Sequence, residues 1–136
     1  MSQESGANIP KTYDPQSFER KWYDYWEQHK LFHDEADESR TPYSVVIPPP
    51  NVTGQLHMGH ALDNTLQDIL VRYQRMRGKN VLQPMGWDAF GMPAENAAMN
   101  HQVAPAAWTY SNIDYMKNQL KSLGFAIDWS RELATC

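Results

Sequence analysis

The sequence predicts an α/β fold, the first half of a Rossmann-like doubly wound parallel sheet with an N-terminal helix. Two observations support this prediction. Residues 43–47 are a short apolar run that leads into a proline-rich loop and a long amphipathic stretch, and residues 80–84 form a second extended segment. Strand, loop, helix and strand in this order make one right-handed βαβ crossover, the repeating unit of such sheets.

The N-terminal helix is predicted to begin near residue 14. Asp14 can cap it, Pro15 suits its first turn, and aromatic residues recur along one face at helical spacing. The polar residues before it, 1–11, are predicted to be a disordered tail. The structured domain would then span residues 12–136.

The crossover itself is the clearest pattern in the chain. Residues 43–47 are β-branched and apolar, as is typical of a buried parallel strand, and the prolines at 48–50 end it. Between Met58 and Met76 apolar residues recur every three or four positions, which predicts a helix with one buried stripe. The stripe is formed by Ala61, Leu62, Thr65, Leu66, Ile69, Leu70, Tyr73 and Met76. Gly78 is predicted to end the helix.

The remaining third of the chain is predicted to be mostly helical. A short helix plus loop is expected over residues 93–108, and Ser111 is expected to cap a further helix that Gly124 ends. The apolar face of that helix would contain Ile113, Met116, Leu120 and Leu123. Residues 125–129 are predicted to add a third, short strand.

The composition is that of one folded domain. The chain has 136 residues, of which 41% are hydrophobic and 12% aromatic, which is enough for a core. A formal net charge of −4 argues against strong nonspecific binding to nucleic acid. No apolar run approaches the length of a membrane span, the polar start is no signal peptide, and the lone Cys136 excludes an internal disulfide. We therefore expect a cytoplasmic protein that does not enter a membrane.

Two histidines, His57 and His60, stand at the predicted helix start with Gly59 between them. Free N–H groups at a helix start stabilise anions, and imidazole donors beside them would add to that effect. Gly59 would let a flat ligand such as adenine approach the backbone, because it has no Cβ. The motif therefore predicts a phosphate-binding site. The alternative is that one histidine only caps its helix or packs against the sheet.

Asp88 follows the second predicted strand, at the edge of the sheet where this architecture binds ligands. A carboxylate at that place can pair with the ammonium group of an amino acid. The alternative is a capping or turn aspartate, which is common after a strand. The apolar loop that contains Pro48 and Pro49, together with Phe90, could line a side-chain pocket, although such residues also fill ordinary cores.

These segments resemble the catalytic domain of class I aminoacyl-tRNA synthetases, in the subgroup for branched aliphatic amino acids. Residues 48–71 resemble the valine enzyme. Residues 78–136 resemble the leucine enzyme, on the motifs GWDAFGMPAE at 86–95 and DWSRE at 128–132. Nothing matches the second signature of that class, Lys-Met-Ser-Lys-Ser, so the resemblance implies an N-terminal half of the catalytic domain with the second half absent. A divergent enzyme, a chimera and a reconstructed ancestor could each combine the two patterns.

The resemblance implies that the chain forms an aminoacyl-adenylate from ATP and a branched aliphatic amino acid, with leucine favoured slightly over valine. Because the second signature loop is missing, its activity is expected to be weak. His57 and His60 would be catalytic. The ATP-binding residues would be Asn51, Gly54, His57, Gly59 and His60, and the amino-acid-binding residues Pro48, Pro49, Asp88 and Phe90. Mg²⁺ would be bound through the ATP phosphates and not by a metal site of the protein.

Further partners follow from the same pattern. Binding of tRNA is expected to be weak, and the exposed sheet edge beside residues 43–47 could support association between chains. Three other functions stay open at this point. The chain could bind ATP without turnover, act as a nucleotidyltransferase of the cytidylyltransferase type, which shares the His-x-Gly-His helix start, or be a structural unit without a ligand.

Overall fold

The computed structural model describes residues 10–52 and 54–136, so most of the predicted disordered tail lies outside the described residues. After a single 3-10 turn, Pro15–Ser17, four helices and four short strands are found in the described part of the chain. They are α1 (Glu19–Gln28), β1 (Pro42–Ser44), α2 (Met58–Met76), β2 (Asn80–Leu82), β3 (Pro84–Trp87), α3 (Met92–Asn100), α4 (Pro105–Ser122) and β4 (Asp128–Ala134). The strand–helix–strand crossover is the one that the sequence predicts. The N-terminal helix is also present, but it begins at Glu19 and not near residue 14, and Asp14 makes no capping bond with its side chain.

The strands pair in parallel, which confirms the predicted α/β architecture. Tyr43 of β1 lies opposite Val81 of β2, and Pro84 of β3 lies opposite Asp128 of β4. Strands β2 and β3 follow each other directly and form one extended central segment. β1 pairs with β2 at the beginning of this segment, and β4 pairs with β3 at its end. A further parallel bridge between Asn51 and Asp88 extends the pairing on the β1 side, beyond the prolines.

The core lies between the central segment formed by β2 and β3 and helix α4. Its largest fully buried side chains include Met85 and Trp87 from β3, Met116 and Leu120 from α4, and Ile127. Buried and half-buried residues alternate along β3, so that Met85 and Trp87 face the core. The core fixes the carboxyl end of β3, which is where the candidate site begins.

Three predicted boundaries are wrong. Helix α4 begins at Pro105 and not at Ser111, because a proline fits the first helical turn, where its missing N–H is not needed. The strand that was predicted at residues 125–129 is β4, at residues 128–134, because Phe125, Ala126 and Ile127 form a buried connection. Strand β1 ends at Ser44, and Val46, which was predicted to lie in a buried strand, is 78% exposed.

The predicted buried stripe of α2 is also wrong, because the helix presents that stripe outward. Leu62, Leu66 and Ile69 are each at least 60% exposed, while Asn64, Asp68 and Val71 are buried. The full set of large exposed apolar side chains on this face is Met58, Leu62, Leu66, Ile69, Leu70, Tyr73 and Met76. The amphipathic period is therefore that of a helix, as predicted, but the polar side faces the domain.

Polar contacts explain this orientation. Asp68 accepts a hydrogen bond of 2.6 Å from the buried amide of Ala126 and one of 2.7 Å from Arg72. Arg72 also donates to the carbonyl of Gly124 at 2.5 Å, and its guanidinium lies 5.4 Å from the ring of Phe32. These bonds hold α2 to the loops after α1 and α4, so the inward face needs carboxylate and guanidinium groups.

None of the helices within the described residues has both the length and the apolar content that crossing a membrane requires.

Candidate nucleotide-binding site

The start of α2 is closed by its own two histidines. His57 is the N-cap residue, with extended backbone, and its Nδ1 accepts a hydrogen bond of 3.1 Å from the amide of Gly59. His60 makes the reciprocal bond, since its Nδ1 accepts a hydrogen bond of 3.2 Å from the amide of His57. Two side chains thus satisfy two otherwise unpaired N–H groups, as serine and glutamate do in an ordinary capping box. Capping by histidine, the alternative that the sequence left open, is what the structure shows.

Capping fixes the tautomer of both rings. A ring nitrogen that accepts from an amide carries no proton, so each neutral imidazole holds its proton on Nε2. The two rings lie against each other, with centroids 3.8 Å apart and planes 32° apart. Burial and the neighbouring His57 lower the pKa of His60 below its usual value. His60 is therefore neutral at pH 7 and can still donate a hydrogen bond from Nε2.

Gly59 is required by this pair of rings. A Cβ at this position would lie 2.8 Å from Cε1 and 2.9 Å from Nδ1 of His57. Real Cβ contacts are not that short, so any larger residue would displace the ring that caps the helix. The contact with the ring of His57 is thus one reason for a glycine here. The predicted role of Gly59, to let a flat ligand approach the backbone, stays a prediction.

The loop before the helix is held at the carboxyl end of β3. The amide of Asp88 donates to the carbonyl of Pro50 at 2.9 Å, and the amide of Val52 donates to the carbonyl of Asp88 at 3.0 Å. Further along, the amide of Leu56 donates to Oε1 of Gln119 on α4 at 3.2 Å. The structure therefore brings the proline-rich loop to Asp88, as the predicted site requires. Asn51 is exposed beside this bridge.

Asp88 uses its backbone for these bonds and leaves its carboxylate exposed at the strand end. The next two amides, of Ala89 and Phe90, donate to Oγ1 of Thr135 at 3.0 and 3.2 Å, which fixes the turn. The ring of Phe90 is 77% exposed. The motif thus presents one carboxylate and one aromatic ring to the surface next to the loop.

The other predicted residues lie in less enclosed positions. Pro48 and Pro49 are both exposed, and Pro49 lies near Gly86, where an added Cβ would be 3.5 Å from the proline Cβ. Gly54 is half-buried and has open space around it. Ile47 is buried in the core and not in a pocket.

Several supporting residues could not be found from the sequence pattern. Gln119 accepts from the amide of Leu56, which is 63 residues away along the chain. Thr135 accepts from the amides of Ala89 and Phe90, which are 46 and 45 residues away. Trp87 is anchored in the same way, since its Nε1 donates to Oε1 of Glu132 at 2.7 Å and Glu132 in turn pairs with Lys117. Local periodicity carries no signal for such distant partners.

The comparisons with known proteins agree with this geometry. The family model for tRNA synthetases class I (I, L, M and V) matches residues 21–136. A leucine–tRNA ligase of Hydrogenovibrio crunogenus is 53% identical over 136 residues, which is 100% of this chain and 16% of that protein. One of Nitrosococcus oceani is 61% identical over 112 residues, or 82% of this chain and 14% of that protein.

A solved structure is similar as well. The ternary complex of Agrobacterium radiobacter K84 agnB2 LeuRS with tRNA and LeuAMS matches with a TM-score of 0.87 and 40% identity, over 92% of this chain and 16% of that one. The chain thus spans about one sixth of the relatives it matches. Leucine relatives cover the whole chain, including the stretch that resembles the valine enzyme. With the capped histidine pair and the adjoining Asp88, these matches show that the chain belongs to the class I tRNA synthetase family, with leucyl-tRNA synthetases among its relatives.

Proposed function

We propose that this chain activates an amino acid with ATP, forming an aminoacyl-adenylate and releasing pyrophosphate. The observation that carries the proposal is the pair of imidazoles at the start of α2, each of which accepts a backbone hydrogen bond at Nδ1 and so leaves Nε2 to donate to a ligand. In the reaction a carboxylate oxygen attacks the α-phosphorus, and the bond to the bridging oxygen of pyrophosphate breaks. Negative charge on the phosphoryl oxygens is then stabilised by positioned donors.

The remaining residues support this assignment by their positions. The exposed carboxylate of Asp88 would pair with the ammonium group of the amino acid, and Phe90, Pro48 and Pro49 would lie against its side chain. Asn51, Gly54 and Gly59 would contact the nucleotide with His57 and His60. Mg²⁺ would accompany ATP and be held by phosphate oxygens, which it prefers together with water.

Leucine is the proposed amino acid, ahead of valine and isoleucine. The relatives given above are named as leucine–tRNA ligases, and the solved neighbour is named as a complex with tRNA and LeuAMS. Transfer to tRNA would be the next step in such a protein. The net charge of −4 predicts that tRNA binds this chain weakly.

The test is leucine-dependent exchange of labelled pyrophosphate into ATP. We expect exchange with the native chain and a loss of roughly tenfold to a hundredfold in His57→Ala and in His60→Ala, since each removes one donor to a phosphate. His29→Ala is the matched control, because His29 is exposed on the surface beside Tyr25. Unchanged exchange in the double variant His57→Ala/His60→Ala would contradict the proposal.

A second candidate is ATP binding without turnover, which the same donor site would support on its own. Calorimetric titration with ATP separates the two functions. Binding that depends on the histidines, without any exchange, would support the binding function. The family membership favours both over a cytidylyltransferase.

A further inference from the structure

Thr135, the residue that follows β4, bonds to the chain on both sides of Asp88. Its amide donates to the carbonyl of Trp87 at 3.1 Å, which continues the pairing of β3 with β4. Its Oγ1 accepts hydrogen bonds of 3.0 and 3.2 Å from the amides of Ala89 and Phe90. A hydroxyl oxygen has two lone pairs, so this single atom satisfies two consecutive amides beyond the end of β3.

These two amides lie where the chain leaves the sheet. Residues 89–91 belong to no helix or strand, and Gly91 has a positive φ of 123° just before α3 begins. The conformation of such a turn depends on hydrogen bonds that other segments supply, because its backbone groups have no regular partners of their own. Thr135 supplies the bonds to the amides of Ala89 and Phe90.

The chain around Asp88 is held from two sides by different segments. The proline-rich loop bonds to the amide and carbonyl of Asp88, through Pro50 and Val52, and this loop leads to the histidines at the start of α2. Within the described residues, the side chain of Thr135 makes no hydrogen bond to that loop or to α2. Thr135 therefore contacts the amino-acid side of the candidate site and not its nucleotide side.

We propose that Thr135 is a positioning residue for the amino acid, because its Oγ1 fixes the turn that carries Asp88 and Phe90. The inference rests on the proposed function, in which the carboxylate of Asp88 pairs with the ammonium group and Phe90 lies against the side chain. Rotation of the backbone between these two residues would change the separation of carboxylate and ring. Thr135 acts through the backbone and contacts neither substrate.

Loss of the Thr135 oxygen should free this turn without unfolding the strand before it. Trp87 stays paired with Ala134 in the sheet, and its Nε1 still donates to Oε1 of Glu132 at 2.7 Å. Thr135→Val keeps the shape of the side chain and the backbone amide, so only the two bonds to Oγ1 are lost. Thr135→Ser keeps an oxygen that can accept from both amides.

The test is the kinetics of pyrophosphate exchange in the native chain and these two variants. We expect Thr135→Val to raise the KM for leucine about tenfold and to leave the KM for ATP within about twofold of the native value. The ratio of kcat/KM for leucine over valine should fall by about threefold, because Phe90 is less well positioned. Thr135→Ser should restore both values.

Thr65→Val is the matched control, because it also removes a threonine hydroxyl, one that bonds to the carbonyl of Ala61 within α2. It should leave both KM values unchanged. A purely structural role of Thr135 would lower the amount of active protein, and so the apparent kcat, without raising the KM for leucine alone. Circular dichroism of each variant would verify the fold.

Calorimetric titration with leucine separates this inference from the proposed function, since binding needs no turnover. A native chain that binds leucine without exchange would contradict the proposed function, and weaker leucine binding in Thr135→Val would still support the inference. Native exchange with an unchanged leucine KM in Thr135→Val would overturn the inference alone, as would equal rises in both KM values or no recovery in Thr135→Ser. A native chain that neither exchanges nor binds leucine would overturn both.

Discussion

The two imidazoles at the start of α2 have a structural role, and the proposed function gives them a chemical one as well. Their Nδ1 atoms cap the helix, and this leaves the Nε2 protons for a ligand. The sequence allowed the phosphate site and its capping alternative to be predicted, because His-x-Gly-His follows a strand and a loop. It could not show that capping leaves both Nε2 atoms free to donate, since ring orientation depends on hydrogen bonds that a pattern does not encode.

Gly59→Ala is expected to damage the candidate nucleotide-binding site. Alanine ordinarily stabilises a helix by about 0.5–1 kcal/mol over glycine. Here the new Cβ would meet the ring of His57, 2.8 Å away, so the ring must move and its cap is lost. We expect no gain in the thermal midpoint and a loss of ATP affinity by calorimetry. Thr65→Ala, exposed on the same helix, should keep the affinity. Native affinity in Gly59→Ala would show that the ring position is unimportant.

Helix α2 shows which properties of a helix the sequence predicts and which it does not. Its length and period follow from the sequence, but its orientation does not, because an apolar stripe predicts burial against something without saying against what. The polar network of Asp68, Arg72 and the amide of Ala126 holds the opposite face inward. Asp68 and Arg72 lie one turn apart on α2, whereas Ala126 is 58 residues away from Asp68 along the chain.

We expect Asp68→Ala to destabilise the fold by roughly 2–4 kcal/mol, because it leaves the buried amide of Ala126 unpaired and Arg72 without its carboxylate. Chemical denaturation measures this free energy of unfolding. Asp114→Ala, at an exposed position on α4, is the control and should stay within about 0.5 kcal/mol of the native chain. Equal stability of the two variants would mean that the network does not hold α2.

A second polar cluster joins the loop after α1 to β4. His33 bonds to Glu35 through Nε2 at 2.8 Å and to Asp128 through Nδ1 at 2.9 Å, while Ser130 and Arg131 also reach Asp128. The bonds to Glu35 and Asp128 raise the pKa of His33 above 6.5, against the effect of burial. Burial opposes ionisation of Asp128, but its bonds from Ser130 and His33 prevail and lower its pKa.

The sign of the pH dependence follows. The contribution of His33 to stability is complete below pH 6.5 and is lost as the pH rises through its raised folded pKa. The contributions of Asp128 and Glu35, whose pKa values are lowered, are present above their unfolded values of 3.8 and 4.5. His33→Gln should therefore lower the thermal midpoint most between about pH 5 and 6, and less toward alkaline pH. His101→Gln controls for loss of an imidazole elsewhere, and a pH-independent difference would contradict the assignment.

For the whole molecule, the order of strand, loop, helix and strand was sufficient to predict a parallel α/β sheet. The exact strand ends were not predictable, because backbone bridges such as Asn51 to Asp88 lie beyond the prolines that appear to end the pattern. This bridge joins the proline-rich loop and the motif at residues 86–95 into one candidate site. Association through the edge beside residues 43–47 stays a prediction.

Substrate selectivity is also a property of the whole site. A difference of one methylene in an apolar pocket is worth roughly 1–3 kcal/mol, so discrimination is limited. We expect exchange rates with leucine, valine and isoleucine to lie within about a hundredfold of one another, with leucine fastest. Parallel exchange assays measure this ratio. A stricter preference would indicate a pocket with more enclosure than Pro48, Pro49 and Phe90 provide.

The central claim is that the capped histidine pair holds ATP through its Nε2 protons. The most direct measurement is ¹⁵N NMR of the five histidine side chains during titration with ATP and Mg²⁺. We predict that His57 and His60 are neutral with Nε2 protonated before ATP is added, and that their Nε2 resonances shift on binding while those of His29 and His101 stay in place. If ATP binds and leaves the resonances of both His57 and His60 unchanged, the claim is wrong.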